Sequence, residues 1–246
     1  MGYQRMGQMP LLQGDIYWLA EPQTGLLQTL YQCESEPDPV QLFEGTAFAA
    51  QASQSPILFK LSSSSGGMLS VLADDPRKYD GLLVASCAAR AELLYHLRSL
   101  LEASFLQKRK ALLRYYDPRV ASYLLPTCTG ALQARWLGPV SAIAWFGGTW
   151  ADEAEGRKEW HLLTHDDAVG KSVSDQLLAL DDEQLQRLVD QGYEHFAWRW
   201  LQQRSGYPVS QVLDWVRAGV ALGHNEQNSL NAWLDSRVVA QGEQQG

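Results

Sequence analysis

The chain has little cysteine, little histidine and no long apolar run. Its 246 residues include three cysteines and five histidines. Cys33, Cys87 and Cys128 are far apart and odd in number, which argues against a disulfide framework and against a zinc site of clustered ligands. They read as small buried hydrophobes of a reducing compartment. No apolar stretch approaches the roughly 18 residues that a spanning helix needs, so no membrane insertion is expected. The first residues lack both a long apolar stretch and a cleavage-type ending, so no secretory signal is expected. Gly2 is not followed by the Ser or Thr of a myristoylation motif. A cytoplasmic location is the expectation. Catalytic motifs are missing too. There is no Gly-x-Ser-x-Gly elbow, and the serine-glycine run at 62–67 lacks the lysine and spacing of a phosphate loop and reads as a connector. No nucleophile, base and orienting group assemble in sequence. The chain is therefore not expected to be an enzyme, and no catalytic residue, cofactor or metal is assigned.

What is present is a globular composition, with 46% apolar and 20% charged residues. The formal net charge of -8 is unevenly spread. Residues 1–150 hold 12 acids and 12 bases, whereas residues 151–246 hold 16 acids and 8 bases. Eight of the nine tryptophans lie at or after Trp136. Two differently built regions follow: an α/β domain over 1–150 and a smaller acidic, all-α lobe over 151–246. The acid excess argues against nucleic acid as a partner, because phosphate binding needs a basic surface.

Strands alternate with helices in the first region, which predicts a mixed sheet with flanking helices. Strands are expected at 15–19, 56–61, 81–86, 111–116 and 140–146, with an edge strand at 160–163. Thr24 can cap a helix beginning near Leu26. Leucines at helical spacing predict one helix over 89–106, and 131–138 a shorter one. Later, Asp181 or Asp182 caps a helix whose stripe runs from Leu185 to Trp200. Residues 209–222 form a second helix, and Asn225 or Asn228 opens a third. Residues 241–246 read as a frayed tail.

The densest stretch is 108–126, KRKALLRYYDPRVASYLLP, with five of the chain's twenty basic residues. Asp117 offers a side-chain oxygen to open N–H groups, and Pro118 suits the first helical position. If 111–116 is a strand, alternation sends one of Tyr115 and Tyr116 inward. Asp117 is expected to pair with a neighbouring arginine, leaving Arg114 or Arg119 available for binding. His161 and His165 share a face on either helix or strand, but no third metal ligand is obvious. Asp166 or Asp167 reads as a cap. His96 and His195 lie in amphipathic helices and read as packing or surface residues.

Arg114, Tyr116, Asp117, Pro118 and Arg119, then Leu125-Pro126 and Gly138-Pro139, resemble the signature of the type VI secretion effector-chaperone, or adaptor, family. That family was long labelled a domain of unknown function. Residues 16–19, 42–46 and 55–61 are similar to its first strand, its turn and its second strand, so the resemblance covers roughly 15–146. Glu21-Pro22 departs from its usual pattern after the first strand. The resemblance implies a cytosolic, cofactor-free protein that binds the N-terminal segment of a toxin effector and helps load it onto the VgrG-type spike. On that reading Arg114, Tyr116, Arg119 and Trp198 are candidate partner contacts. Asp117, Pro118, Gly138 and Pro139 are the structural signature. A groove between the lobes is expected to hold an apolar or amphipathic segment. An immunity-type protein, or a hydrolase with a dispersed site around His161 and His165, are the alternatives.

Overall fold

The computed structural model describes residues 2–62, 67–105, 109–165, 177–204 and 206–244. In chain order the elements are β1 (Tyr3–Met6), β2 (Asp15–Ala20), α1 (Leu26–Cys33), β3 (Val40–Gln41), β4 (Ile57–Lys60), α2 (Met68–Asp74), β5 (Gly81–Ser86), α3 (Arg90–Ser99), β6 (Glu102–Phe105) and β7 (Arg109–Leu112). There follow α4 (Pro118–Leu124), α5 (Gly130–Leu137), β8 (Val140–Gly147), α6 (Trp150–Ala154), β9 (Glu159–Thr164), β10 (Leu178–Ala179), α7 (Asp182–Leu201), α8 (Val209–Ala221) and α9 (Gln227–Gln244). The fold is a sheet domain with helices, followed by a helical region.

Seven strands form one sheet in the order β1-β9-β8-β5-β2-β4-β3. Every neighbouring pair in it is antiparallel. A second sheet, β10-β6-β7, supplies the parallel pairing, between β10 and β6. Strands such as DIYWLA and GLLVAS are apolar at nearly every position because both faces of the large sheet are covered. Tyr17, Leu19, Leu82 and Val84 face α3, α4 and α5, through Leu93, Leu97, Leu124 and Trp136. Trp18, Ala20 and Leu83 face α1 and α2, through Leu26, Leu30, Met68 and Leu72. Alternation of period two splits each strand between the two cores. Helices α7 to α9 bury a third core around Trp200, Val212, Val216 and Leu234.

Several expectations need correction. The helix over 89–106 ends at Ser99, whose hydroxyl donates to the His96 carbonyl at 2.7 Å. Residues 102–105 instead form β6, since a spacing of four also satisfies a strand's even period. Strand β7 ends at Leu112, before the Tyr115-Tyr116 turn. Both tyrosines are buried there, and Tyr115 donates its hydroxyl to the Leu97 carbonyl at 2.8 Å. Gly25, at φ 80°, takes the N-cap of α1, and no Thr24 side-chain cap forms. β9 is not an edge, because β1 pairs outside it. Of the cysteines only Cys128 is buried; Cys33 is half-buried and Cys87 exposed. Helix α9 continues to Gln244, through the stretch read as frayed. Asp166, Asp167, Lys108 and most of the serine-glycine connector lie outside the described residues.

Gly138-Pro139 closes α5 against α3. Gly138 caps the helix at φ 50° and ψ -117°, a left-sided conformation suited to glycine. A Cβ there would stand 2.5 Å from His96 Cε1. The His96 ring fills that space, with Nε2–H donating to the Trp136 carbonyl at 2.9 Å. Pro139 offers its carbonyl to the Ser86 hydroxyl at 2.9 Å, tying the turn to β5. Burial lowers the His96 pKa to about 4, against a backbone hydrogen bond that works the other way.

Two outcomes follow. Gly138→Ala is expected to cost about 3 kcal/mol or more in urea unfolding, from overpacking plus backbone strain. Adding His96→Ala should remove only the overpacking share. Secondly, His96 binds its proton more weakly folded than unfolded, so its contribution is complete above about pH 6.5 and is lost as pH falls towards about 4. The loss should approach about 3 kcal/mol. His96→Gln should flatten the stability–pH curve across that window. A residual slope is expected from His161, which burial also shifts down.

Candidate functional site

The Asp117-Pro118 junction builds the site. Asp117 is extended, and its Oδ1 accepts from the Arg119 N–H at 2.9 Å, while Pro118 takes the first turn of α4. The cap read from sequence is present. Asp117 is buried, and its carboxylate also accepts from Arg119 Nε at 3.0 Å. Arg114 lies 3.9 Å from the same carboxylate and donates to Glu21 Oε1 at 2.6 Å. Arg119 reaches Asp80 at 3.7 Å. A chain of charges therefore runs Glu21–Arg114–Asp117–Arg119–Asp80. It ties the end of β2 and the start of β5 to the start of α4. Glu21, where the sequence departs from the resembling pattern, is a member of this chain. Burial raises its pKa, the Asp117 charge adds to the rise, and the Arg114 hydrogen bond opposes it.

The structure sorts the expected contacts into two cavities. Arg114 and Tyr116 line one of about 280 Å³ with Glu21 and Phe43. Tyr116 is only 2% exposed and packs its ring against Phe43 and Tyr115, so it serves as a wall. Arg119 and Trp198 line another of about 220 Å³, with Pro118, Gly148 and Trp150. The Arg119 guanidinium stands 5.1 Å over the Trp150 ring, and Trp150 lies 4.6 Å from Trp198. Sequence reasoning missed Trp150. Its place at the glycine-marked turn after β8 was the signal that could have found it.

The helical lobe is clasped to the sheet domain beside this cavity. Glu194 on α7 accepts from the Tyr123 hydroxyl at 2.5 Å and from the Ala151 N–H at 3.0 Å. Thr149 and Asp152 form a reciprocal capping box at α6. Burial works against the Asp152 charge, but its bonds from Thr149 and Arg157 hold the carboxyl below the usual range.

Both histidines of the dispersed-site alternative are hydrogen-bonded, and His161 lines a cavity of about 310 Å³ with Tyr3, Ser122 and Glu194. His161 is buried, stacked on Trp145 at 4.9 Å, with Nε2–H donating to the Gly147 carbonyl at 3.1 Å. That leaves Nδ1 to accept from the Tyr3 hydroxyl at 2.7 Å. Nε2 of His165 lies 3.1 Å from the Gly138 carbonyl. Among the described residues, no group of three or more His, Cys, Asp or Glu is arranged to hold a metal ion. No described helix is long and apolar enough to cross a membrane.

A third feature is an apolar groove of about 400 Å³ between the small sheet and α7, lined by Phe105 and Leu112 on one side and by Leu185, Leu188 and Val189 on the other. Val189 is 45% exposed, although the helical stripe placed it inward. Sequence periodicity marked these α7 residues as core and missed the groove they form.

Sheet, junction and groove define a mixed α/β domain carrying a helical lobe, with its aromatic and charged groups gathered where the two meet. Residues 16–135, from β2 into α5, match a family described as a domain of unknown function (DUF4123). Searches of the curated proteins and of the solved structures find no match.

Asp117→Ala is expected to cost about 2 kcal/mol or more in chemical denaturation. About 1 kcal/mol is the lost cap, and the rest comes from charges left without their partner. Asp117→Asn keeps a capping oxygen and should cost less.

Proposed function

We propose that this chain is an adaptor that binds the N-terminal segment of a type VI secretion effector and helps load it onto the VgrG-type spike. The apolar groove between the small sheet and α7 is the observation that carries the reading. An apolar face of this kind, open among the described residues, suits a partner's apolar segment. Exposed Val189 and half-buried Leu188 offer anchors from α7, and Phe105 from β6. The resemblance of 108–126 and 136–139 to the adaptor signature supports the same role. The occupant proposed for the groove is a segment whose apolar residues recur on one face.

Co-purification with the toxin encoded beside this gene tests the reading. The N-terminal segment of that toxin should be retained and its toxic domain alone should not. If the toxin stays soluble and is secreted without this protein, the proposal fails. Retention of the toxic domain instead would point to an immunity protein. Within a retained complex, Val189→Asp should weaken binding at least tenfold by calorimetry, as expected for burying an unpaired charge. Because Val189 is already exposed, the melting temperature should stay nearly constant.

A further inference from the structure

The cavity shared by Arg119 and Trp198 is lined by one more cation than carboxylates, the surplus being the exposed Arg77. Three cations line it, Arg77, Arg119 and Lys158, against two carboxylates, Asp80 and Glu153. Arg119 and Lys158 are engaged, with Asp117 and Asp80 and with Glu153 at 2.7 Å respectively. The Arg77 guanidinium makes no ion pair among the described residues; the bond recorded for this residue runs from its backbone N–H to Asp75. Gly148 also lines the cavity. It is buried, and its N–H finds no acceptor among the described residues. Buried backbone donors are rarely left so, which points to an acceptor arriving from outside. Gly148 is also pinned as glycine, because a Cβ would stand 2.7 Å from Asp152 Cβ.

We infer that this cavity is a carboxylate subsite, taking one Asp or Glu side chain of a bound protein partner. Size and charge select that class. About 220 Å³ admits a single side chain but is below the range of nucleotide-sized pockets. The Trp150 and Trp198 rings provide an apolar wall for the methylene stem, while Arg77 and the Gly148 N–H receive the charged end. Asp80 and Glu153 on the rim favour a single negative charge over the nearly double charge of a phosphate. The source of the carboxylate rests on the adaptor reading; the chemistry of the cavity does not.

The test titrates isotope-labelled protein with N-acetyl-glutamate α-amide, N-acetyl-glutamine α-amide and inorganic phosphate, following the Trp150 and Trp198 indole N–H signals. Saturable shifts with the glutamate compound, and none with the neutral glutamine compound, are expected. Arg77→Ala lies outside the charge chain and should weaken the glutamate compound about tenfold, as for a lost hydrogen bond to a charged group. No saturable shift, an equal response to the neutral compound, tighter binding of phosphate, or an unchanged affinity in Arg77→Ala would each overturn the subsite. Failed co-purification with a successful titration removes the adaptor reading alone. The reverse pair of results removes the subsite alone.

Discussion

The rest of the junction depends on one buried carboxylate. Asp117 opens α4 and holds two arginines at once. Through Arg114 it reaches Glu21 at the end of β2, and through Arg119 it reaches Asp80 beside β5. Through Arg119 it also places a cation over Trp150, at the start of the helix that meets the helical lobe. A carboxylate this enclosed is tolerable because its oxygens are filled by a backbone N–H and by guanidinium groups. The same pairing uses up charge within a basic, aromatic stretch. Its two arginines are largely spent on acids of the same chain.

The second half of the signature works by space rather than charge. His96, on α3, occupies the volume that a side chain at position 138 would take. Burial keeps that ring neutral near physiological pH, and its one recorded bond runs to the Trp136 carbonyl. Trp136, Gly138 and Pro139 thus join α3, α5 and β5 in one packed unit, at the back of the sheet face that also carries α4. Both halves of the signature serve one purpose: they fix α4 and α5 on the same face of the sheet. Among the features these contacts leave open are the apolar groove and the cavity walled by Trp150 and Trp198.

Much of this was legible in the chain. Asp117-Pro118 announced its cap because capping is local chemistry, settled within four residues. The strands at 15–20, 57–60, 81–86 and 140–147 and the helices of the last region followed from apolar runs and spacing. Legibility failed where two periods coincide. Leu97, Leu101 and Phe105 fit a helix and also fit a helix followed by a strand, and only the partner strand β7 decides. It failed again at Tyr115 and Tyr116, which lie in a turn where alternation does not apply.

The sequence by itself determined the Asp117 cap, the central strands, the helices of the last region and the uneven charge of the two regions, because each depends on neighbours in the chain. Only the tertiary structure decided which acid meets which arginine and that Tyr116 is a wall. It alone decided that Arg119 and Trp198 share one cavity, and that apolar residues of β6, β7 and α7 also frame a groove beside the core. Those outcomes depend on groups distant in sequence and close in space, where charge, volume and burial act without regard to chain order.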